Sequence, residues 1–146
     1  MHVLPKIVLR SRGPIIASDA IVCNAKKEIL LTKRNIEPFR GKWVLPGGHV
    51  KYGETIENAL QREVEEETGY KVMIEKLHGV YSNPKRDPRY HIICICFICK
   101  IVSGDAKINF EVEEIKFFSL KSLPRKMGFD HRKIIQDFIN NKGKQR

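Results

Sequence analysis

At 146 residues and 42% hydrophobic composition, the chain falls within the size of one domain and is long enough to bury a core, so residues 1–146 are read as a single folding unit. Its 27 Lys and Arg against 17 Asp and Glu give a formal charge of +10, which suits a phosphate compound or a nucleic acid as partner, or a Lys-rich, heat-adapted surface with no partner at all. The longest apolar stretch, His91 to Ile101, is too short to cross a bilayer and the N-terminus has no signal-like run, so a soluble, cytoplasmic protein is expected.

Pro14 to Cys23 is rich in Ile, Ala and Val, and Glu28 to Lys33 alternates well enough to be its hairpin partner across Asn24-Ala25-Lys26-Lys27. A loop with Pro38, Gly41 and Pro46-Gly47-Gly48 follows. From about Thr55 to Thr68, Ile56, Leu60 and Val64 recur every fourth residue until Gly69 stops the helix. Val72 to Tyr81 reads as a strand, Asn83 to Arg89 as a two-proline loop, and His91 to Ile101 as a buried strand. Ser103-Gly104-Asp105 then reads as a turn and Glu114 to Leu120 as a further strand. Asp130 is placed to cap a last helix with the stripe Ile134, Ile135, Phe138 and Ile139, and Lys142 to Arg146 forms a basic tail. A mixed sheet packed between helices, an α/β class, accounts for this order.

The acidic helix carries the chemistry. With Leu60 at the centre of its buried face and about 100° per residue, Glu67 falls within about 20° of Leu60 and Glu63 and Glu66 spread along the stripe's edge, while Glu65 points to solvent. Carboxylates turned toward a core need a counterion, since an uncompensated buried charge costs several kcal/mol. A hard divalent cation with oxygen ligands, Mg²⁺ or Mn²⁺ before Zn²⁺, meets that need. Cys96-x-x-Cys99 lacks the second ligand pair of a zinc site. On a strand Cys94 and Cys96 share one face and Cys99 takes the other, which reads as buried packing.

The run from Gly48 through Glu54 to Arg62-Glu63-Val64-Glu65-Glu66-Glu67-Thr68-Gly69 resembles the 23-residue box of the Nudix hydrolase family, with a mild departure at Tyr70, where a bulky aliphatic residue is usual. The resemblance implies an α/β/α sandwich and attack by a metal-activated water on a diphosphate. It implies Glu63, Glu66 and Glu67 as metal ligands, the backbone at Gly47 and Gly48 close to metal or phosphate, and Arg62 with Glu54 as a pair orienting the helix. Tyr81-Ser82-Asn83-Pro84-Lys85-Arg86-Asp87-Pro88-Arg89 with His91 resembles the loop of the family's ADP-ribose pyrophosphatases, except at Asn83. Phe39 to Gly48, Glu114 to Phe118 and Phe129-Asp130-His131 extend the likeness over nearly the whole chain.

Arg86 and Arg89 have the forked donors that suit phosphate or ribose oxygens, and they equally suit bracing of the loop by Asp87. The water-activating acid is expected outside the box, at Glu114 or Glu111. Trp43 is read as core rather than a base-stacking platform, and His49, His91 and His131 as structural or substrate-contacting. The expected function is Mg²⁺-dependent hydrolysis of ADP-ribose to AMP and ribose 5-phosphate. Its rivals are triphosphate hydrolysis, RNA cap hydrolysis, for which no RNA-binding motif appears, and a non-catalytic ADP-ribose sensor, for which the chain leaves no room for an effector domain. Homodimers are common among such relatives, though the sequence marks no dimer surface.

Overall fold

A computed structural model describes residues 13–143. Among the described residues, seven strands and two helices succeed one another as β1 (Ile15–Val22), β2 (Glu28–Arg34), β3 (Trp43–Val44), β4 (Gly47–His49), α1 (Ile56–Thr68), β5 (Tyr70–Tyr81), β6 (Ile92–Gly104), β7 (Val112–Ser119) and α2 (His131–Gly143). They form a mixed four-stranded sheet, ordered β4-β1-β6-β5 with β1 and β6 parallel, and a three-stranded antiparallel sheet, ordered β3-β2-β7.

The expected β1–β2 hairpin does not form. Beyond one bridge, Cys23 to Ile29, the two strands diverge into different sheets. Both are buried on both faces, from Ala17 to Val22 and from Ile29 to Thr32, so each needs apolar cover above and below rather than the single covered face of an isolated hairpin. Ile21, Ile29 and Leu31 pack with Ile134, Ile135 and Phe138 of α2, whereas Ala20, Val22 and Leu30 pack with Leu60 and Val64 of α1. Since neighbours along a strand face opposite ways, the helices lie on opposite sides of the sheets and the layering is α/β/α. Cys94 and Cys96 join the α2 side and Cys99 the α1 side, as their spacing requires, and the described cysteines are free thiols.

Helix α1 starts where its sequence says. Thr55 accepts a hydrogen bond from the Asn58 N–H, and Gly69 ends the helix at φ 80°. Ser103 and Gly104, read from sequence as a turn, instead prolong β6 by pairing with Lys71 and Tyr70. Asp130 precedes α2, but its carboxylate is taken by Arg86 rather than spent as a cap. Of the expected basic tail, residues 144–146 lie outside the described part. Trp43 packs edge-to-face on Phe118 at 4.7 Å beside the α2-side core, and Tyr70 packs in the α1-side core near Phe117. No described helix is long and apolar enough to cross a membrane.

Candidate active site

Gly47 and Gly48 run antiparallel to β1, opposite Asp19 and Ser18. Neither has space for a side chain: a Cβ on Gly47 would strike the Ser18 carbonyl oxygen, and one on Gly48 would strike the Glu63 carboxyl group. The loop backbone therefore lies directly on the acidic helix, and the Gly47 N–H donates to Glu67 Oε1 at 3.0 Å. Burial, partly offset by that hydrogen bond, and the nearby carboxylates Glu63, Asp19 and Glu111 push Glu67 well above the ordinary carboxylate range. Burial also pushes Glu63 upward, against the pull of Arg62.

Arg62 organises the helix start. Its Nε and Nη2 donate to Glu54 at 2.7 and 2.9 Å, its Nη1 to Glu63 and Glu66 at 3.1 and 3.2 Å, and its Nη2 also to the His49 carbonyl at 3.3 Å. The Arg62 hydrogen bonds are the main reason that the Glu54 carboxyl is held down at about 2. Glu63 and Glu67 line the adjoining cleft; Glu66 does not, and its side chain is 51% exposed. The expectation that all three crowd the core side is corrected by helix geometry, because Glu66 sits about 120° round from Leu60 and clears the apolar stripe.

Of the two acids considered outside the box, Glu111 lines the cleft, while Glu114 is exposed and stands outside it. A register shift between Lys33 and Arg34 pairs Arg34 with Val112 but Lys33 with Glu114, leaving Glu113 as an extra residue. Simple alternation fails there, and Glu111 and Val112 both turn inward.

The cleft encloses about 220 Å³ and is rimmed by three arginines. Arg86, whose side chain is 4% exposed, donates to both oxygens of Asp130 at 2.9 and 2.6 Å. Arg89 donates to Asp87 at 3.1 and 2.9 Å. The loop arginines thus line the site with a carboxylate partner each. Arg34, at the end of β2, went unnoticed in the sequence. Its Nε donates to the Pro38 carbonyl, and its guanidinium lies 5.2 Å from the centre of the Phe129 ring, without a carboxylate salt bridge among the described residues. Burial and the neighbouring Arg89 cation lower its pKa.

Phe129, Asp130 and His131 send their side chains three ways into this region. Phe129 holds the left-handed conformation, φ 52°, unusual for a bulky residue, and its ring lies near both Arg34 and Arg89. His131 is buried, accepts the Leu45 N–H at Nδ1 at 2.9 Å, and sets Nε2 3.2 Å from Asp19 Oδ2. The accepting Nδ1 makes the ring the neutral Nε2–H tautomer, so it donates to the Asp19 carboxylate. The Cys94 thiol donates to the same oxygen at 3.1 Å. Burial would raise the Asp19 carboxyl, yet His131, Cys94 and Arg86 hold it below its usual value. Asp19 was also missed, although a lone acid in the run Ile15 to Val22 was a signal that it had a buried partner. His49 lines the cleft, whereas the imidazole of exposed His91 meets the Ser82 carbonyl at 3.0 Å and its own carbonyl accepts the Ile15 N–H.

The oxygen donors of Glu63 and Glu67, set against glycines whose missing Cβ atoms leave the backbone bare, suit a hard divalent cation. With Arg62 drawn onto Glu63 and Glu66, no three Asp, Glu, His or Cys side chains among the described residues yet surround a common point. The carboxylates fit such an ion by chemistry.

An α/β/α fold with a glycine loop pressed on an acidic helix, facing arginines across a cleft, defines a class of proteins that handle anionic ligands with a cation. The NUDIX domain profile matches residues 13–138, and the chain belongs to the Nudix hydrolase family. It is 48% identical over 126 residues to a protein of Methanocaldococcus jannaschii named ADP-ribose pyrophosphatase, covering 86% of this chain and 73% of that one. It is 38% identical over 121 residues to a Bacillus subtilis protein named putative 8-oxo-dGTP diphosphatase, covering 82% and 76%. The crystal structure of a MutT NUDIX hydrolase from Burkholderia pseudomallei superposes with a TM-score of 0.76 at 28% identity, covering 86% of this chain and 98% of the other. Enzymes of this family generally need a divalent metal ion.

Proposed function

We propose that this chain hydrolyses the diphosphate of ADP-ribose, giving AMP and ribose 5-phosphate, with Mg²⁺ as cofactor and Mn²⁺ able to replace it. The observation that carries the reading is the joint facing of Glu63 and Glu67 onto the Gly47-Gly48 backbone inside an arginine-rimmed cleft. The substrate choice draws on the likeness to the Methanocaldococcus protein. At about 220 Å³ the cleft is smaller than the ~300 Å³ at which ligand pockets usually begin, which suits a diphosphate held inside with nucleoside and ribose reaching over the rim.

Glu63 and Glu67 would hold the ion, with Glu66 joining from the rim once Arg62 releases it. The ion supplies positive charge against the diphosphate and activates water for attack. Glu111 is the acid we assign to accept the proton of that water as its oxygen bonds to phosphorus and the bridging P–O bond breaks. Arg34 offers donors to the phosphate oxygens without first leaving a carboxylate. Arg62 and Glu54 keep the helix seated.

A second reading, pyrophosphohydrolysis of nucleoside triphosphates, is favoured by the 38% identity to the Bacillus protein. Product analysis with Mg²⁺ on ADP-ribose, other nucleoside diphosphate sugars and a triphosphate panel including 8-oxo-dGTP separates the two. AMP and ribose 5-phosphate from ADP-ribose, lost on chelation, support the first reading; turnover of triphosphates with ADP-ribose untouched rejects it.

A further inference from the structure

The Leu45-Pro46-Gly47 turn is held at one backbone group on each of its three residues. The Leu45 N–H goes to His131 Nδ1 at 2.9 Å, the Pro46 carbonyl accepts from the Ala20 N–H at 2.9 Å, and the Gly47 N–H goes to Glu67 at 3.0 Å. The turn runs from β3 to β4, and two of these partners, Ala20 and Glu67, lie on β1 and α1. The third comes from the first residue of α2, 86 residues along the chain from Leu45. Asp19 fixes His131 in turn: by accepting from Nε2 it keeps that proton in place and leaves Nδ1 free to receive the Leu45 N–H.

We propose that His131, held in one tautomer by Asp19, is a positioning residue that sets the glycine turn and, through the Gly47 N–H, the Glu67 carboxylate for its divalent ion; this rests on the reading that the cleft binds such an ion. In this role His131 acts on the turn's backbone, through the Leu45 N–H, and not as a ligand of the ion. Its carboxylate-backed imidazole acts one step behind the ligand, on the backbone that orients it, and such outer partners typically contribute about 10- to 100-fold to metal affinity.

The test is Mn²⁺ binding to the substrate-free protein, read by the electron paramagnetic resonance of free Mn²⁺, beside thermal melts of the same samples. H131A should weaken Mn²⁺ binding about tenfold or more. H131N, whose side-chain oxygen can still accept the Leu45 N–H, should recover most of that loss. C94A removes the other donor to the same Asp19 oxygen without touching Leu45, and should bind Mn²⁺ like wild type. Should H131A not fold, H131N against H131Q decides, because the shorter amide matches the acceptor toward Leu45 and the longer one the donor toward Asp19; tighter binding by H131N supports the proposal and equal binding overturns it. Wild-type affinity in folded H131A, or a C94A loss as large as that of H131A, overturns it while leaving the divalent-ion reading intact. A wild-type protein that binds no Mn²⁺ overturns both.

Discussion

Glu67 is half-buried, has the acids Glu63, Asp19 and Glu111 nearby, and has one described hydrogen bond, from Gly47. Its carboxyl is raised, so folding favours the protonated form. Its contribution to stability is therefore most favourable below the ordinary carboxylate range, about pH 4.3, and declines as pH rises from there through its elevated folded value. Glu67→Gln keeps an oxygen for the Gly47 N–H and removes the charge. Without metal, the variant should melt a few degrees above wild type at neutral pH, and the gap should close at acid pH; equal melting temperatures at neutral pH would show that the buried charge is already compensated. Activity at low Mg²⁺ should fall by about 100-fold or more. The box residues were legible because their pattern is both periodic and chemically improbable without a cation. Asp19 and Arg34 were not, since single charged residues in strands acquire meaning only from what the sheets bring opposite them. Glu111 was legible only as one of a pair, because one extra residue in β7 decides which acid turns inward.

Between elements, the decisive contact is glycine loop against helix. Helix α1 could be read almost to the residue, as Thr55 and Gly69 act locally. The parting of β1 and β2 could not, because whether neighbouring strands pair depends on the distant helices that cover their second faces. The two loop glycines predict different failures. A Cβ on Gly48 meets the Glu63 carboxyl oxygens at 2.6 and 2.7 Å, and these sit at the end of a flexible side chain that can swing away. Gly48→Ala should thus leave the melting temperature nearly unchanged while kcat falls by about 100-fold, the usual scale for an ångström-sized misplacement. A Cβ on Gly47 meets the Ser18 backbone, which cannot yield so easily. Gly47→Ala should cost about 1–3 kcal/mol of stability in urea unfolding. Similar melting temperatures and similar kcat losses in both variants would contradict this division.

Across the whole molecule, the +10 charge and the arginine-rimmed cleft should make binding of an anionic substrate sensitive to salt. Screening lengths shrink from about 30 Å at 0.01 M to about 3 Å at 1 M ionic strength, so kcat/KM should fall several-fold over that range, mainly through KM; a flat profile would confine recognition to short-range contacts. The molecule is also closed by one ion pair. Arg86, in the loop between β5 and β6, grips Asp130 at the entrance to α2, 44 residues away, and reaches the Ile92 carbonyl at 3.5 Å. Its near-complete burial means that removal strands a carboxylate in a poorly solvated site instead of exposing it to water. Arg86→Ala should therefore destabilise the fold by about 3–5 kcal/mol, the scale for breaking a buried pair from one side. Arg89 pairs with Asp87 two residues away within its own loop, and Arg89→Ala would strand a carboxylate that is only 3% exposed. That carboxylate keeps the backbone N–H of residue 89 at 2.8 Å, so the stability cost should be of the same order. The substrate profile separates bracing from contact. If Arg86 only braces, its variant at a temperature where it remains folded keeps the wild-type ratio of kcat/KM between ADP-ribose and other nucleoside diphosphate sugars. A changed ratio with an unchanged urea midpoint would instead make Arg86 a substrate contact and its hold on Asp130 a resting arrangement.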